Sequence, residues 1–403
     1  MPAFMKDAGN TKAHSLWREM VIFLILYVIS IFVEAMAMVP GLLVYIAGRP
    51  DATSWFGRFG SGTYGALQNG GMDPYSALLQ SQPEWLMIYT LFAEALLIVL
   101  YTGYCRLIEK RSFSSMGFVK GNIIVSYIKG LLWAVVLFGG AYLFGVGTGA
   151  LHFDGRMAGT IPGYIVLYLI GYMIQGMAEE VICRGYLLVS LSRNHSVWYS
   201  VILSSGVFMA LHMSNDHVTL LAFINLFLCG VLFGMLFVER GNIWIVAAFH
   251  SGWNFLQDNI FGMPVSGMAQ GNSVFATSFA EGRNLINGGD FGIEGGLAVT
   301  VVLVLGIYYT YRRMDRKGML AVAGESVSQE QTADSGQLKK QDVPGHLKEE
   351  ENYTSMPLNL DTLNRIETQK REAGVIVTPP KETEIYPKRT VFNAEYFKEK
   401  DQE

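Results

Sequence analysis

Eight apolar runs, near residues 19–47, 86–107, 122–147, 161–190, 197–213, 218–238, 242–258 and 293–312, take up most of the first three quarters of this 403-residue chain. Each is long enough to read as a helix crossing the roughly 30 Å hydrocarbon core of a bilayer. The expected fold is all-α: a polytopic membrane helix bundle of about eight transmembrane helices. Composition agrees, since 16% of residues are Asp, Glu, Lys or Arg, against roughly 25% in a soluble domain. The first run has no small-residue cleavage site and reads as a spanning helix, not a secretory signal. Cys105, Cys183 and Cys229 all fall in or beside apolar segments. That suits buried reduced thiols better than a disulfide framework or a CxxC zinc site.

Basic residues set the expected orientation. With the N-terminus in the cytoplasm, Lys6, Lys12, Arg18, Arg106, Lys110, Arg111, Lys120, Arg193, Arg240 and the group Arg312, Arg313, Arg316 and Lys317 fall on one side. The other side receives only Arg49, Arg58, Arg156 and Arg283, although its loops are longer. Both termini are therefore expected in the cytoplasm of a cell-membrane, multi-pass protein. Residues 1–317 form the expected transmembrane domain, with a core at 161–260. Residues 318–403 form a polar tail with 16 acidic and 11 basic residues, a balance of −5 against −4 for the whole chain. Its Glu, Gln, Ser, Thr and Pro content reads as disorder. Its interleaved acids argue for solvation and against a nucleic-acid partner. Residues 49–84 and 259–292 are rich in Gly, Ser and Asn, and the second loop is long enough to cover a site.

Charges inside apolar runs are costly, roughly 2.5–3.5 kcal/mol each on insertion scales, and mark functional sites. In "MAEEVICRG" (177–185), Glu180 and Arg184 stand at i, i+4 and can pair on one helix face. Glu179 lies about 100° around the helix and need not share that arginine. "FMALH" sets Phe208 and His212 at i, i+4, and "HSGWN" does the same for His250 and Asn254. The polar break "SRNHS" centres on Asn194, 15 residues after Glu179 and 18 before His212. A tight helical hairpin would bring those two side chains to one depth. Taken singly, each residue reads as packing or a structural ion pair; together they read as a site. Phe208 keeps the packing reading, as does Cys183, which has no base positioned for it. Glu34 and Glu94 are able to line a cavity, but no spacing links them to a partner. His217 stands near His212 as an outside candidate.

No HExxH, GxSxG, Gly-x-Ser-Gly or Gly-x-Gly-Asp signature is present. Carboxylate, imidazole and amide groups suit water activation by a base with donors for a tetrahedral oxyanion. The ordered motifs EExxxR (179–184), FxxxH (208–212) and HxxxN (250–254), with "CRGYLL" and "MGFVKGN" around them, resemble the CPBP family. That family comprises CAAX prenyl endopeptidases and bacteriocin-processing or self-immunity proteins, also called the ABI family. The resemblance covers roughly 112–312. It implies Glu179 as the water-activating carboxylate with His212 as its partner, and Glu180 and Arg184 as a supporting ion pair. His250 and Asn254 would position substrate and stabilise the oxyanion. The family label is metalloprotease: Glu179, His212 and His250 are the candidate ligands for Zn²⁺, while a metal-free glutamate mechanism is the preferred reading.

The expected function is an intramembrane endopeptidase acting on a membrane-associated protein or peptide, with the lipid bilayer as its surroundings. The resemblance identifies no substrate. The alternatives are a non-catalytic scaffold or self-immunity protein with the same fold, and a proton-coupled transporter. The absence of internal repeats weighs against the transporter.

Overall fold

The computed structural model describes Met5, Ala8 and residues 13–48, 83–268 and 271–320. The expected tail lies outside the described residues apart from its first three, as does nearly all of the loop 49–84. Among the described residues helices dominate. They are α1 (Leu16–Ala47), α2 (Glu84–Ala93), α3 (Ala95–Leu107), α4 (Ile123–Gly147) and α5 (Pro162–Glu180). A π-helical stretch, Val181–Leu188, and the single turn α6 (Val189–Leu191) carry α5 onward. Then follow α7 (Val197–Leu211), α8 (Leu220–Arg240), α9 (Trp244–Phe255), a second π-helical stretch (Leu256–Ile260), α10 (Asn284–Asn287) and α11 (Leu297–Arg316).

Helices occupy all eight apolar runs. Six are long and apolar enough to cross a membrane: α1, α2 with α3, α4, α5 through α6, α8 and α11. The other two runs fall short. The 15 residues of α7 rise only about 22 Å, because the helix stops with His212 as its C-cap. Before α9, Asn242 ends the turn, and its side chain accepts from the Ile245 N–H. The outer faces of α1 and α4 expose Leu24, Phe32, Met36, Ile124, Val136 and Leu143. Such a continuous apolar exterior suits lipid and not water.

Inside, α9 packs against both α4 and α5, while α8 lies between α7 and α11. Small residues permit the closest of these approaches. A Cβ at Gly176 on α5 would come 2.8 Å from the backbone nitrogen of Ser251 on α9. A Cβ at Gly130 on α4 would overlap the Ile245 carbonyl. These contacts fix the depth of α9 against the end of α5, where the charged motif lies. Away from the apolar runs, β1 (Leu151–Arg156) pairs antiparallel with β2 (Phe275–Phe279), with a register shift between Phe153 and Gly155. The ribbon ties the loop after α9 back to the end of α4.

Ionic clusters tie helix ends together. Arg193 reaches Glu19 at 2.8 Å and Glu109 at 2.9 Å, and Glu109 also meets Arg111 at 3.0 Å. Arg313 and Lys317 at the end of α11 meet Glu239 at the end of α8, at 3.1 and 2.7 Å. Replacing Gly176 by valine is expected to prise α9 from α5. Overpacking of this kind costs about 1–3 kcal/mol. The check is the thermal midpoint of the bilayer-reconstituted protein, which should fall for Gly176→Val and stay unchanged for Gly139→Ala, where a Cβ meets open space.

Candidate active site

The two glutamates of the charged motif sit at the join between α5 and the π-helical stretch, and they have different surroundings. Glu180 and Arg184 are wholly buried and paired through Oε1 and Nη1 at 2.8 Å. The same Glu180 oxygen accepts from His250 Nδ1 at 3.0 Å. Arg184 Nη2 donates to the Gly230 carbonyl on α8 at 3.1 Å. Its guanidinium also stacks over the rings of Phe208 and Phe233, at 4.7 and 5.3 Å. Phe208 is therefore packing, as expected, and also a cation–π partner. One ion pair thus gathers α5, α7, α8 and α9.

Glu179 points the other way, into a cavity of about 510 Å³. Its Oε1 accepts from Gln175 Nε2 at 2.9 Å. Its Oε2 faces His250 Nε2 at 3.8 Å and His212 Nε2 at 4.0 Å. The expected hairpin thus brings Glu179 and His212 together. His212 Nδ1 lies 2.8 Å from the Phe208 carbonyl. A carbonyl only accepts, so Nδ1 carries a proton, and whenever the ring is neutral its Nε2 lone pair is turned to the cavity. In that form Glu179 Oε2 and His212 Nε2 are two acceptors that face each other. A water about 2.8 Å from both would close this 4.0 Å gap with an angle near 90° at its oxygen. Glu179 is 23% and His212 16% exposed, enough for solvent to reach them.

His250 is held from behind by Glu180, and its Nε2 meets the same space. Asn254, the last of the expected site residues, lines the cavity and donates to Gln175 Oε1 at 2.9 Å. All six expected residues are thus in one constellation: four on the cavity wall and the Glu180–Arg184 pair behind it. His217 is not among the cavity-lining residues. Cys183 is buried on the wall and takes part in no disulfide.

Several lining residues escaped the sequence reading. Gln175 stands at i−4 to Glu179, a spacing that would have found it had amides been searched along with charges. Glu34 and Glu94 do line the cavity, which the sequence left open for want of partners. Glu294 precedes α11 and reaches the wall from a loop; it accepts from the backbone and hydroxyl of Ser266 at 2.7 and 2.8 Å. Burial raises its pKa above the ordinary carboxylate value, and those two hydrogen bonds oppose the rise. Val265, Ser266 and Met268 bring the long loop to the same wall. The turn after α7 is sunk against it, with Asn215 Nδ2 donating to the Ser266 carbonyl at 2.9 Å.

The donor set also bears on zinc. Ligands about 2.0–2.1 Å from a tetrahedral Zn²⁺ stand about 3.4 Å apart. The 3.8 and 4.0 Å separations around Glu179 are wider. Among the described residues no three His, Cys, Asp or Glu side chains are set to hold a metal ion. As placed, Glu179, His212 and His250 do not form a zinc cage.

Residues 161–256 match the family model described as "Type II CAAX prenyl endopeptidase Rce1-like". No curated protein matches the chain. The matched stretch begins just before α5, ends one residue after α9 and contains all three motifs. The match to this protease-family model is consistent with the CPBP resemblance, and six helices of the chain are long and apolar enough to cross a membrane.

Breaking a buried ion pair from one side costs about 3–5 kcal/mol. Arg184→Ala is therefore expected to lower the thermal midpoint sharply or prevent accumulation of folded protein, whereas Glu179→Gln leaves the midpoint within a few degrees. Equal effects on the midpoint would contradict the separation of the two glutamates.

Proposed function

We propose that the protein is an intramembrane endopeptidase that hydrolyses a peptide bond of a membrane-associated protein or peptide with water activated by Glu179 and His212. The observation that carries this reading is the gap between Glu179 Oε2 and His212 Nε2. It joins two acceptors that each need a proton donor, at the wall of an otherwise largely apolar cavity.

In this mechanism the water lies between the two acceptors and gives a proton to Glu179 as its oxygen attacks the carbonyl carbon. His212 holds the second water proton through Nε2 and so aims the lone pair at the carbonyl. The tetrahedral oxyanion is stabilised by His250, whose Nδ1–H is held by Glu180 and whose Nε2–H, in the imidazolium form, faces the reacting centre. When the intermediate collapses, the C–N bond breaks and Glu179 returns its proton to the leaving amine. No step passes through a metal.

The wall also bears on substrate class. Its ionisable side chains include Glu34, Glu94, Glu179, Glu294, His212 and His250; no Lys or Arg lines it among the described residues. A free terminal carboxylate would find no lysine or arginine to anchor it there, which favours an internal bond. The basic-residue asymmetry supports a multi-pass arrangement with both termini in the cytoplasm.

The test compares N-terminal peptides in membranes containing wild-type or Glu179→Gln protein. A set of new N-termini present only with wild type is expected, with a loss of roughly 10²-fold or more in their formation. Identical peptides in both would leave a scaffold or immunity role as the better reading. Treatment with EDTA or 1,10-phenanthroline is expected to leave cleavage within about twofold of the untreated rate. Loss of activity restored by Zn²⁺ would contradict the metal-free mechanism.

A further inference from the structure

The reaction needs Glu179 to keep one oxygen for the water, and two amides stand behind the other. Gln175 lies one helical turn before Glu179 on α5 and is 5% exposed. Its Nε2 donates to Glu179 Oε1 at 2.9 Å, and its Oε1 accepts from Asn254 Nδ2 at 2.9 Å. The polarity of this chain is forced. A carboxylate only accepts, so Gln175 has to turn its NH₂ to Glu179. Its carbonyl is then left facing α9, and Asn254 in turn has to offer its NH₂. Reversing either amide would set two acceptors or two donors against each other in a buried place.

We propose that Asn254 and Gln175 form an amide relay that orients the Glu179 carboxylate. Asn254 is then a positioning residue that acts on the carboxylate through Gln175, with one of its two amide protons. The inference deepens the endopeptidase reading and rests on Glu179 as its base. The relay crosses the α5–α9 contact that Gly176 and Ser251 make possible, so helix packing sets the direction of the carboxylate. With Oε1 engaged, only Oε2 is left for the gap shared with His212 and His250. An i−4 glutamine alone could leave Glu179 free to follow its own amide; anchoring that amide from a second helix removes this freedom.

The test uses the full chain in lipid nanodiscs, with Gln175→Met, Asn254→Leu, the double variant, and Asn254→Asp, which keeps the size of Asn254 and reverses its polarity toward Gln175. The substrate is a peptide whose new N-terminus depends on Glu179. Each single change is expected to lower kcat by about 10–100-fold with KM within about twofold. The double variant should be no more than about threefold worse than the weaker single, as expected for residues acting as one unit. Asn254→Asp should lose as much as Asn254→Leu. Losses that multiply in the double variant, or full activity in Asn254→Asp, would overturn the relay.

A second readout needs no turnover: the infrared carboxylate stretch of Glu179, assigned by difference against Glu179→Gln. Gln175→Met and Asn254→Asp should both shift this band. A band that neither change moves overturns the relay whatever the kinetics. A band that shifts in a protein whose cleavage survives Glu179→Gln supports the relay and overturns the base assignment instead.

Discussion

The buried pair of Glu180 and Arg184 is the interaction on which the rest of the site depends. Neither side chain reaches solvent, so each needs partners in a place where charge is expensive, and among the described residues only Glu180 Oε2 and Arg184 Nε of this pair go without one. Glu180 finds Arg184 and His250, while Arg184 finds the Gly230 carbonyl and the faces of Phe208 and Phe233. Every one of those partners lies on α5, its π-helical continuation or a neighbouring helix. Satisfying one ion pair therefore brings α7, α8 and α9 together at one depth, and the cavity opens on the other side of the same turn.

This arrangement separates structure from chemistry within two adjacent residues. Glu180 holds the imidazole of His250 from behind, which leaves its second nitrogen toward the cavity. Glu179 is exposed enough to meet water and is fixed through one oxygen only. The change from α- to π-helix directly after Glu180 fits this division, since π-bulges arise where a helix re-aims side chains at a functional site. Close contacts of glycine with a neighbouring helix, at Gly176 and Gly130, then set how far apart the facing groups stand.

Much of this was legible in the sequence because charges in apolar runs are few and their spacings carry geometry. The i, i+4 pairing of Glu180 with Arg184 and the hairpin placing Glu179 opposite His212 both followed from counting residues. The eight runs gave the helices, although α7 and α9 are too short to cross alone, since a run's apolar length does not reveal where a cap such as His212 ends it. Other features carry no local signal. Gln175 is a neutral amide in an apolar run, and its meaning comes from Asn254, 79 residues away. Glu34, Glu94 and Glu294 join the wall through tertiary packing alone. In the β1–β2 ribbon, β2 lies within 259–292, whose glycines and polar residues read as loop, and it pairs with a strand more than a hundred residues away.

The central claim is that a peptide carbonyl enters the space between Glu179 and His212, and its most direct test is an experimental structure of Glu179→Gln protein with a trapped peptide. The expected result sets the scissile carbonyl carbon about 3–3.5 Å from a water held between residue 179 and His212 Nε2, with the carbonyl oxygen toward His250 Nε2. A peptide bound with its backbone away from these three side chains, on the outer face of the helices or across the long loop, would contradict the account.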